Sequence, residues 1–527
     1  MAPFDATLDG KIIKMPDLDY TPDPRGIGYF IYERMKKFKD NIAQIHGITG
    51  EKDTYKSLLE RSVRTALKMR NLGVTHEDII SLCTVNHFDS CVPYIATLFL
   101  GAKICALDPM MCLEDTVYLI KQVNPKLIFT GPEAVDLIQN TVKQVKFDTK
   151  IIVFGPQKSM KVLKNFLHHN PKKRILNRTN SGTTGLPKGI CIHHYGFLCQ
   201  IENYRHFGFS TERTILFASF YWVSVVFAMV AAVSDGSARI ILPKFETTAI
   251  WNAIDKFKPT CMWSVPFHLM SLFQSKPNGV DTESLKHLGV VGSNLTVPHL
   301  AKIKTMFPTT EVYQGYGLTE MCVACTIFKP SSPKDRELAK AKPTSCGRGI
   351  PGVWYKVVDL ETEELLGPDQ PGELLLKSKI HTSGYYNLDS SHLWDFEGWF
   401  RTGDFVYYDE DLCFYVVDRL KEFFKFRSIH LLPASIENVL MQHPEISNTL
   451  VIGIPHEIEL NHAMALVVLK DKNSKLTPEE IEKFVEQRVD DSKRLRAGVK
   501  IVDSIPLATT GKAKRRDIRD MVLRGEL

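Results

Sequence analysis

The feature of the sequence that most restricts its fold is a regular exchange between short apolar runs and amphipathic segments. Five apolar runs predict buried strands: IISLCTV, AKICALD, PKLIFTG, KIIVFG and RIILP. Three amphipathic segments predict helices between them: LLERSVRTALKMRNLG, LEDTVYLIKQVN and IWNAIDKFKP. This alternation predicts an α/β fold, with a large N-terminal region of stacked, largely parallel sheets and helices.

The last hundred residues have a different character. From about residue 418 short helical and strand-like segments alternate: ASIENVLMQHP, TLVIGIP, HAMALVVLK, PEEIEKFVEQRV and VKIVDSIP. Thr477-Pro478-Glu479-Glu480 predicts a helix start, with Thr as the N-cap, Pro in the first turn and Glu placed for a capping box. We predict a large domain over residues 1–417 and a small α+β domain over residues 418–527.

Composition excludes several classes of protein. Of the 527 residues, 44% are hydrophobic and 24% charged, which is ordinary for a globular chain and unlike a disordered or collagen-like one. The net charge of +6 is too small to indicate nucleic-acid binding. The eleven cysteines show no framework spacing, which predicts reduced thiols. Cys322 and Cys325 form one CxxC without the second pair of a zinc site, so we predict a packing role for both.

One stretch approaches the length of a membrane span. The residues between Arg213 and Asp235 carry no charge, and a span needs roughly 20 apolar residues. Polar Ser219, Tyr221 and Ser224, and the absence of flanking basic clusters, favour a buried helix instead. We predict no transmembrane segment, no secretory signal and a cytoplasmic protein. A peroxisomal location is the alternative, although Gly525-Glu526-Leu527 differs from the usual S-K-L address.

The segment Asn180–Gly189, NSGTTGLPKG, is the most informative for chemistry. Its glycines allow tight turns that point N–H groups outward, its three hydroxyl side chains are further donors, and Lys188 adds a cation. Such a loop suits a polyphosphate. It is not a Walker loop, because Pro187 stands where that motif has Gly. The alternative is an ordinary surface loop.

This segment resembles the phosphate loop of the adenylate-forming superfamily, which includes acyl-CoA synthetases, 4-coumarate–CoA ligases, peptide-synthetase adenylation domains and insect luciferases. Four further motifs of that family follow in order: Tyr316-Gly-Leu-Thr-Glu320, Gly398-Trp-Phe-Arg-Thr-Gly-Asp404, Asp418-Arg-Leu-Lys-Glu422 with Lys425 after it, and Thr510-Gly-Lys512. The resemblance covers nearly the whole chain and is closest to beetle luciferase-like AMP/CoA ligases.

The resemblance implies attack of a carboxylate on the α-phosphate of ATP, giving an acyl-adenylate and pyrophosphate. The implied ATP-binding residues are Ser181, Gly182, Thr183, Thr184, Gly185, Lys188, Gly315, Tyr316, Gly317, Thr319, Asp404, Arg419 and Lys512. Within this set, Thr183, Thr184 and Lys188 are expected at the β- and γ-phosphates, and Thr319 at the α-phosphate. Tyr316 is expected to stack on adenine, Asp404 and Arg419 to reach the ribose, and Glu320 to ligate Mg²⁺.

The family pattern assigns the two half-reactions to two lysines. The expected catalytic residues are Lys512, Lys425, Thr319 and Glu320. Lys512 would bridge the carboxylate and the α-phosphate, and the small domain would then swing about a hinge near Lys421 to bring Lys425 in for attack by coenzyme A. The chain departs from the pattern at Ser428, where the family usually has Gly, so we expect a more crowded path for pantetheine. Ser435 also replaces a usual acidic residue, while Pro433 and Glu437 are retained.

The resemblance also implies the acid pocket: Arg205, Tyr221, Trp222, Gly292, Ser293, Gly317, Leu318 and Val323. Tyr221-Trp222 stand where luciferases have two histidines, and Val323 stands where a small polar residue is common. The pocket is therefore expected to be apolar, with the uncharged stretch as its wall. His193 and His194, after the phosphate loop, are interpreted as structural.

These residues predict an AMP-forming acid–CoA ligase that uses ATP, Mg²⁺ and CoA on an apolar fatty or aromatic carboxylic acid. The alternative is a luciferase, in which O₂ attacks the adenylate of a luciferin. A stand-alone amino-acid adenylation domain and a non-catalytic binding protein are two further hypotheses, and the intact motif set argues against the last. The expected partners are small molecules, with no nucleic acid, and the chain is expected to be a monomer.

Overall fold

The structure is a computed structural model of the chain. It describes residues 5–155, 174–181, 187–427, 429–506 and 515–527. The chain divides into two compact units. The first comprises Met1–Lys356, Leu375–Arg401 and Tyr408–Tyr415. The second comprises Val357–Leu374, Thr402–Tyr407 and Val416–Leu527.

The strands of the described residues are β1 (Thr7–Asp9), β2 (Ile12–Lys14), β3 (Ile42–His46), β4 (Lys52–Thr54), β5 (Ile79–Cys83), β6 (Lys103–Leu107), β7 (Leu127–Thr130), β8 (Lys150–Val153), β9 (Arg174–Ser181), β10 (Pro187–His193), β11 (Arg213–Leu216), β12 (Ala238–Ile241), β13 (Cys261–Ser264), β14 (His287–Val290), β15 (Glu311–Tyr316), β16 (Thr326–Ile327), β17 (Arg348–Gly349), β18 (Val353–Val358), β19 (Gly372–Ser378), β20 (Phe400–Tyr408), β21 (Phe414–Arg419), β22 (Phe424–Phe426), β23 (Ile429–Leu431), β24 (Ile446–His456), β25 (Leu460–Leu469) and β26 (Val499–Ile501).

The helices of the same residues are α1 (Gly26–Lys37), α2 (Tyr55–Asn71), α3 (Cys91–Phe99), α4 (Leu113–Val123), α5 (Val135–Val145), α6 (His194–Phe207), α7 (Val223–Asp235), α8 (Thr247–Phe257), α9 (Pro266–Gln274), α10 (Val297–Met306), α11 (Pro333–Ala341), α12 (Pro433–Leu440), α13 (Pro478–Glu486) and α14 (Arg515–Leu523).

The largest sheet has nine strands in the order β17-β16-β15-β14-β13-β11-β12-β3-β4. The six strands from β15 to β3 run parallel to their neighbours. Helices α7 to α10 connect successive strands of this sheet, and α8 buries Trp251 completely in a core shared with Leu288 and Ile303. β12 and β14 are buried along their whole length, as expected for parallel strands covered on both faces, although β12 contains Arg239 and β14 contains His287.

A second parallel sheet has the order β6-β5-β7-β8. Helices α4 and α5 pack on it through Ile120 and Ile138, which meet Ile128 of β7. The predicted strands and helices of this region are confirmed, with one correction. The run KIIVFG forms β8, one of the two end strands of the sheet, but is not fully buried, because its two outer residues are exposed and its two inner residues are half-buried.

The sequence predicted one buried helix for the uncharged stretch after Arg213, and this prediction is wrong. The stretch forms β11, a loop over residues 217–222, and the 13-residue helix α7. Both elements are largely buried, so the absence of charge reflects the core of an α/β layer. Within the described part of the chain, no helix is both long enough and apolar enough to cross a membrane.

Smaller sheets complete the fold. Strands β9 and β10 form an antiparallel pair in which Ser181 lies opposite Pro187. A six-stranded sheet has the order β1-β2-β18-β19-β20-β21.

In the second unit, β23-β22-β25-β24 form a sheet with β26 beside β25. One core joins α12 and α13 to this sheet through Ile436, Val467 and Ile481, and another holds Ile518 of α14 against Leu466. The predicted capping box is confirmed: Thr477 accepts from the Glu480 N–H at 3.3 Å, and Glu480 accepts from the Thr477 N–H at 2.9 Å. The predicted α/β class, with a smaller α+β part at the C-terminal end, is thus confirmed.

Candidate active site

Four parallel neighbours of the large sheet, β11, β13, β14 and β15, end at one edge. The loops that leave this edge carry several predicted site residues: Tyr221 and Trp222 after β11, Gly292 and Ser293 after β14, and Gly317 to Glu320 after β15. Gln314 of β15 ties the loop after β14 to this strand by accepting from the Leu295 N–H at 2.9 Å. In open α/β sheets, ligands bind outside the carboxyl ends of the strands, so this edge is the candidate site.

Glu320 lies on a single 3-10 turn, Thr319–Met321, that follows β15. Its side chain is buried, and Oε1 accepts a hydrogen bond from the Tyr385 hydroxyl at 3.2 Å. Lys188 of β10 lies over the ring of the same tyrosine, with Nζ 4.7 Å from the centroid, within the range of a cation–π contact. Tyr385 therefore contacts both a predicted phosphate-binding lysine and the predicted Mg²⁺ ligand.

Backbone hydrogen bonds explain why Tyr385 lies there. Cys191 of β10 donates from its N–H to the Gly384 carbonyl at 2.9 Å, and Tyr386 donates to the Gly189 carbonyl at 2.7 Å. The Thr382 N–H donates to the carbonyl of Glu320 at 2.5 Å. The segment 382–386 thus joins β10 to the turn that carries Glu320. Sequence analysis did not identify Tyr385, because no motif or spacing signals a partner that is brought in by backbone pairing.

Gly317 permits a close return of the chain after β15. A Cβ on this residue would lie 1.9 Å from the Val323 carbonyl oxygen, so only glycine fits. Gln200 of α6 fixes the returning segment by donating to the carbonyls of Met321 and Ala324 at 2.8 and 2.7 Å. Gln200 was also missed by sequence analysis, since it lies on a helix without a recognisable motif.

The returning segment is strained at Val323. Its φ of 130° lies in a region that β-branched residues rarely adopt, and Cys322 before it has φ 59°. Backbone strain of this kind concentrates at functional sites. Cys322 donates from its thiol to the Ile380 carbonyl at 3.0 Å, and burial raises its pKa well above the ordinary range. Cys325 is buried as well, and no disulfide forms among the described cysteines.

The residues predicted for the acid pocket differ in exposure. Tyr221 and Leu318 are buried, and Trp222 is half-buried at the N-cap of α7, with its ring 5.6 Å from that of Tyr221. Gly292 and Ser293 are exposed. Arg205 is paired with Glu202 of its own helix at 2.9 Å and with Asp235 of α7 at 3.1 Å. Its guanidinium is therefore already engaged by two carboxylates.

The histidines after the phosphate loop have structural contacts. His193 caps α6 by accepting from the Gly196 N–H at Nδ1, at 2.8 Å, and its Nε2 lies 2.7 Å from the His381 carbonyl oxygen. His194 accepts from the Ile27 N–H at 3.3 Å.

The second unit carries the Thr-Gly-Asp motif, within β20. Asp404 is buried, and Arg419 at the end of β21 lies 3.2 Å from it, Nε to Oδ1. The Thr402 hydroxyl fixes the motif, since it donates to the Leu374 carbonyl at 2.7 Å and accepts from the Asp404 N–H at 3.1 Å. The two residues predicted for the ribose are thus an ion pair on adjacent strands.

Lys425 is exposed on β22, and its carbonyl accepts from the Asn461 side chain at 2.9 Å. Burial raises the pKa of nearby Asp418, which accepts from the Arg419 N–H at 2.8 Å. Glu437 accepts from the Val451 N–H at 2.7 Å and pairs with Arg515. The retained motif residue Glu437 therefore holds α12, β24 and α14 together.

Several predicted residues lie outside the described residues: Gly182, Thr183, Thr184, Gly185, Ser428 and Lys512. For Ser181 the structure describes the backbone alone, at the end of β9. Lys188, Gly315, Tyr316, Thr319 and Glu320 are all described within the first unit, and Asp404, Arg419 and Lys425 within the second.

The chain is similar to known proteins along most of its length. The model of the AMP-binding enzyme family matches residues 31–386, and that of the AMP-binding enzyme C-terminal domain matches residues 435–512. The chain therefore belongs to the adenylate-forming AMP-binding enzymes, which confirms the predicted family.

Individual relatives include two kinds of enzyme. A luciferin 4-monooxygenase of Nipponoluciola cruciata is 28% identical over 98% of both chains. A 4-coumarate–CoA ligase 1 of Arabidopsis thaliana is 28% identical over 97% of this chain and 95% of its own.

Solved structures agree with the fold. The luciferase-like enzyme from the nonluminescent mealworm Zophobas morio is 32% identical, with a TM-score of 0.72 over 78% of this chain and 99% of that one. ATP-bound MatB from Rhodopseudomonas palustris has a TM-score of 0.82 over 93% of this chain and 98% of that one, at 21% identity, which supports the fold alone.

Proposed function

We propose that this protein is an acid–CoA ligase that adenylates an apolar fatty or aromatic carboxylic acid with ATP and Mg²⁺ and then transfers the acyl group to CoA. The observation that best supports this is the contact of Tyr385 with both Lys188 and Glu320 beside the carboxyl edge of the large sheet. A cation for phosphate oxygens and a carboxylate for a hard metal ion are what phosphoryl chemistry requires.

In the first half-reaction, a carboxylate oxygen of the acid attacks the α-phosphorus and the bond to the β-phosphate oxygen breaks. Negative charge shifts to the leaving pyrophosphate, so positioning and charge stabilisation provide the catalysis. Bound Mg²⁺ would neutralise phosphate charge, and the residues fit it, since Glu320 offers a buried carboxylate and ATP supplies further oxygen ligands. Thr319 would contact the α-phosphate, and Lys188 and Lys512 would stabilise the developing charge.

In the second half-reaction, the thiol of CoA attacks the acyl carbonyl and AMP leaves. We propose that residues 418–527 move about a hinge near Lys421, so that Lys512 leaves the site and Lys425 enters it. The exposure of Lys425 on β22 supports its use at a surface that meets another molecule. Asp404 and Arg419 would hold the ribose of the nucleotide in both half-reactions.

The proposed acid is apolar because the pocket residues offer it few polar partners. Tyr221, Trp222, Leu318 and Val323 present aromatic and aliphatic surface. Trp222 has no basic group, so it cannot remove a proton during catalysis. Arg205 is engaged by Glu202 and Asp235, which leaves the apolar wall as the main determinant of acid choice.

A luciferase is the second candidate, favoured by relatives named luciferin 4-monooxygenase. This activity would use the same adenylation, followed by attack of O₂ on the luciferyl adenylate. Trp222 and Val323 differ from the residues expected in an efficient emitter, so we place this activity second. We also propose a cytoplasmic location, since the eleven cysteines have no disulfide-framework spacing, and a monomeric state.

The test is pyrophosphate release by the purified protein with fatty, cinnamic and luciferin acids, each with and without CoA, while light is recorded. The proposal expects acid-dependent pyrophosphate and a CoA thioester with at least one fatty or aromatic acid. Light from luciferin, with pyrophosphate release that never requires CoA, would reverse the order of the two candidates. No release with any acid would refute both.

A further inference from the structure

The turn between β24 and β25 in the second unit carries a cluster of metal-ligating side chains that the proposed reaction does not use. His456, Glu459 and His462 each offer a ligand atom, and these atoms all lie within 4.8 Å of one another. We propose that the three side chains form a site for one divalent transition-metal ion of the zinc class.

The strand register places the two histidines together. His456 ends β24 opposite Leu460, and His462 of β25 lies opposite Ile454. The histidines are therefore diagonal neighbours on one face of an antiparallel pair, close enough for long side chains to meet. Their rings stack with centroids 3.9 Å apart and an angle of 18°.

Glu459 completes the cluster, and hydrogen bonds from neighbouring residues fix the orientation of its side chain. Its Oε2 lies 2.6 Å from Nε2 of His462, and its Oε1 accepts from Nε of Arg427 at 2.7 Å. Arg427 also donates its N–H to the Glu459 carbonyl at 2.8 Å. Metal-ligating carboxylates are commonly held by such outer hydrogen bonds, and the bond from Arg427 to Oε1 fixes the direction of Oε2, the oxygen beside His462.

The distances between the ligand atoms indicate how far they must move to bind an ion. Tetrahedral zinc with bonds of about 2.0–2.1 Å keeps its nitrogen and oxygen ligands roughly 3.3 Å apart. The 2.6 Å contact of Glu459 with His462 must therefore open by less than about 1 Å, and the ligand nitrogen of His462 must carry no proton to bind the ion. His456 accepts at Nδ1 from the Glu459 N–H at 3.1 Å and the Ile458 N–H at 3.4 Å, and an ion bound by this ring replaces those long contacts.

The ligand set also selects among ions. Two imidazoles and one carboxylate suit Zn²⁺, Co²⁺, Ni²⁺ and Cu²⁺, whereas Mg²⁺ and Ca²⁺ prefer oxygen ligands. The Mg²⁺ that accompanies ATP would therefore not compete here. Because His456 is exposed and its partners are half-buried, water would complete the coordination.

The site lies beside the strand that carries Lys425. Asn461, which precedes His462 on β25, donates from its side chain to the Lys425 carbonyl at 2.9 Å. Leu460 pairs with Phe426 of β22. An ion bound to His456, Glu459 and His462 would consequently restrain the corner of the sheet at which Lys425 lies.

The experiment uses the metal-free, full-length protein without substrates. Co²⁺ is added and followed by its visible absorption, and Zn²⁺ binding is measured by calorimetry in the presence and absence of excess Mg²⁺. We expect one ion per chain, an absorption spectrum typical of nitrogen and oxygen ligands, and no displacement by Mg²⁺. His456→Ala, Glu459→Gln and His462→Ala should each weaken binding at least about tenfold.

His443→Ala is the matched control, because His443, like His456, accepts at Nδ1 from the backbone N–H two residues later, that of Glu445, at 3.3 Å. It should bind Zn²⁺ as the wild type does. Absence of binding by the wild type, or equal weakening by His443→Ala, would show that the cluster is only a structural ion pair. His456→Ala alters an exposed side chain, so it keeps the test valid if the other variants fail to fold. The result is independent of whether the protein adenylates any acid.

Discussion

At the scale of single residues, Tyr385 has the most specific role in the candidate active site. Its hydroxyl donates to Glu320, and its ring lies under the ammonium group of Lys188. Glu320 is buried, and a buried carboxylate needs donors that hold it in place. Tyr385 therefore acts as a positioning residue for the proposed Mg²⁺ ligand.

Replacing Tyr385 with Phe removes the donor and keeps the ring. We expect acid-dependent pyrophosphate release to fall about tenfold, since a hydrogen bond to a charged group contributes about 1.5–3 kcal/mol. The Mg²⁺ concentration at half-maximal rate should rise as well. Tyr386→Phe is the control, because this neighbouring hydroxyl interacts with Asn387 instead. An equal fall in both variants would contradict the assigned role.

His268 makes the free energy of unfolding depend on pH. Its ring stacks on Phe245 at 3.9 Å, and burial lowers the pKa of His268 from 6.5 to about 4. Between these values the unfolded chain binds a proton that the folded chain does not. Stability is therefore full above pH 6.5 and is lost as the pH falls toward 4.

We expect the wild type to lose about 2 kcal/mol more than His268→Phe between pH 7 and pH 4.5, after allowance for partial solvent screening. Urea unfolding at several pH values measures the difference. Phe keeps the stack on Phe245, so the two proteins should have similar stability at high pH. Parallel pH profiles would show that His268 is not protonated differently in the two states.

At the scale of elements, the segment from β15 to β16 is the most constrained. It returns so closely on itself that the Val323 carbonyl occupies the space of a Cβ at position 317. The positive φ angles at Cys322 and Val323 are imposed by this return, and Gln200 fixes it from α6. The same segment carries Thr319 and Glu320, so strain and proposed chemistry coincide.

Gly317→Ala should displace this segment. The added methyl group meets a backbone carbonyl that cannot rotate away, so we expect a loss of stability of about 1–3 kcal/mol and pyrophosphate release reduced at least tenfold. Gly315→Ala is the control for stability, because its methyl group would meet the end of the Ile327 side chain at 3.3 Å, which can adjust. Thermal unfolding of both variants tests this, and equal stability would contradict the geometry.

Sequence periodicity predicted the elements where one physical rule dominates. Strands β5, β6, β7 and β12 are buried along almost their whole length and are rich in apolar residues, and the capping box of α13 is a local pattern. The edge position of β8 and the break between β11 and α7 were not predictable, because apolar content does not encode strand order or the bend between two buried elements.

The candidate site divides in the same way. The residues on motifs, such as Glu320 and Asp404, could be named from the sequence by resemblance. Tyr385 and Gln200 could not, because each reaches the site through contacts between residues far apart in the chain. Glu320 and Tyr385 are 65 positions apart, and Gln200 and Met321 are 121 positions apart.

At the scale of the whole molecule, the proposal assigns two half-reactions to two lysines of the C-terminal part. Lys512→Ala should suppress pyrophosphate release but leave thiolysis of a pre-made acyl-adenylate intact. Lys425→Ala should show the reverse, with normal adenylation and slow CoA transfer. The first rate is measured as pyrophosphate release from ATP and acid, and the second as thiolysis of the pre-made acyl-adenylate by CoA. Normal adenylation by Lys512→Ala would contradict the proposed exchange of the two lysines.

The central claim is that a carboxylate oxygen of the acid attacks the α-phosphorus of ATP. It is tested most directly by supplying an accepted acid labelled with ¹⁸O in its carboxyl group and analysing the nucleotide by mass spectrometry after transfer to CoA. Attack by the carboxylate oxygen leaves one ¹⁸O atom in AMP and none in pyrophosphate. Unlabelled AMP, or label in pyrophosphate or free phosphate, would contradict it.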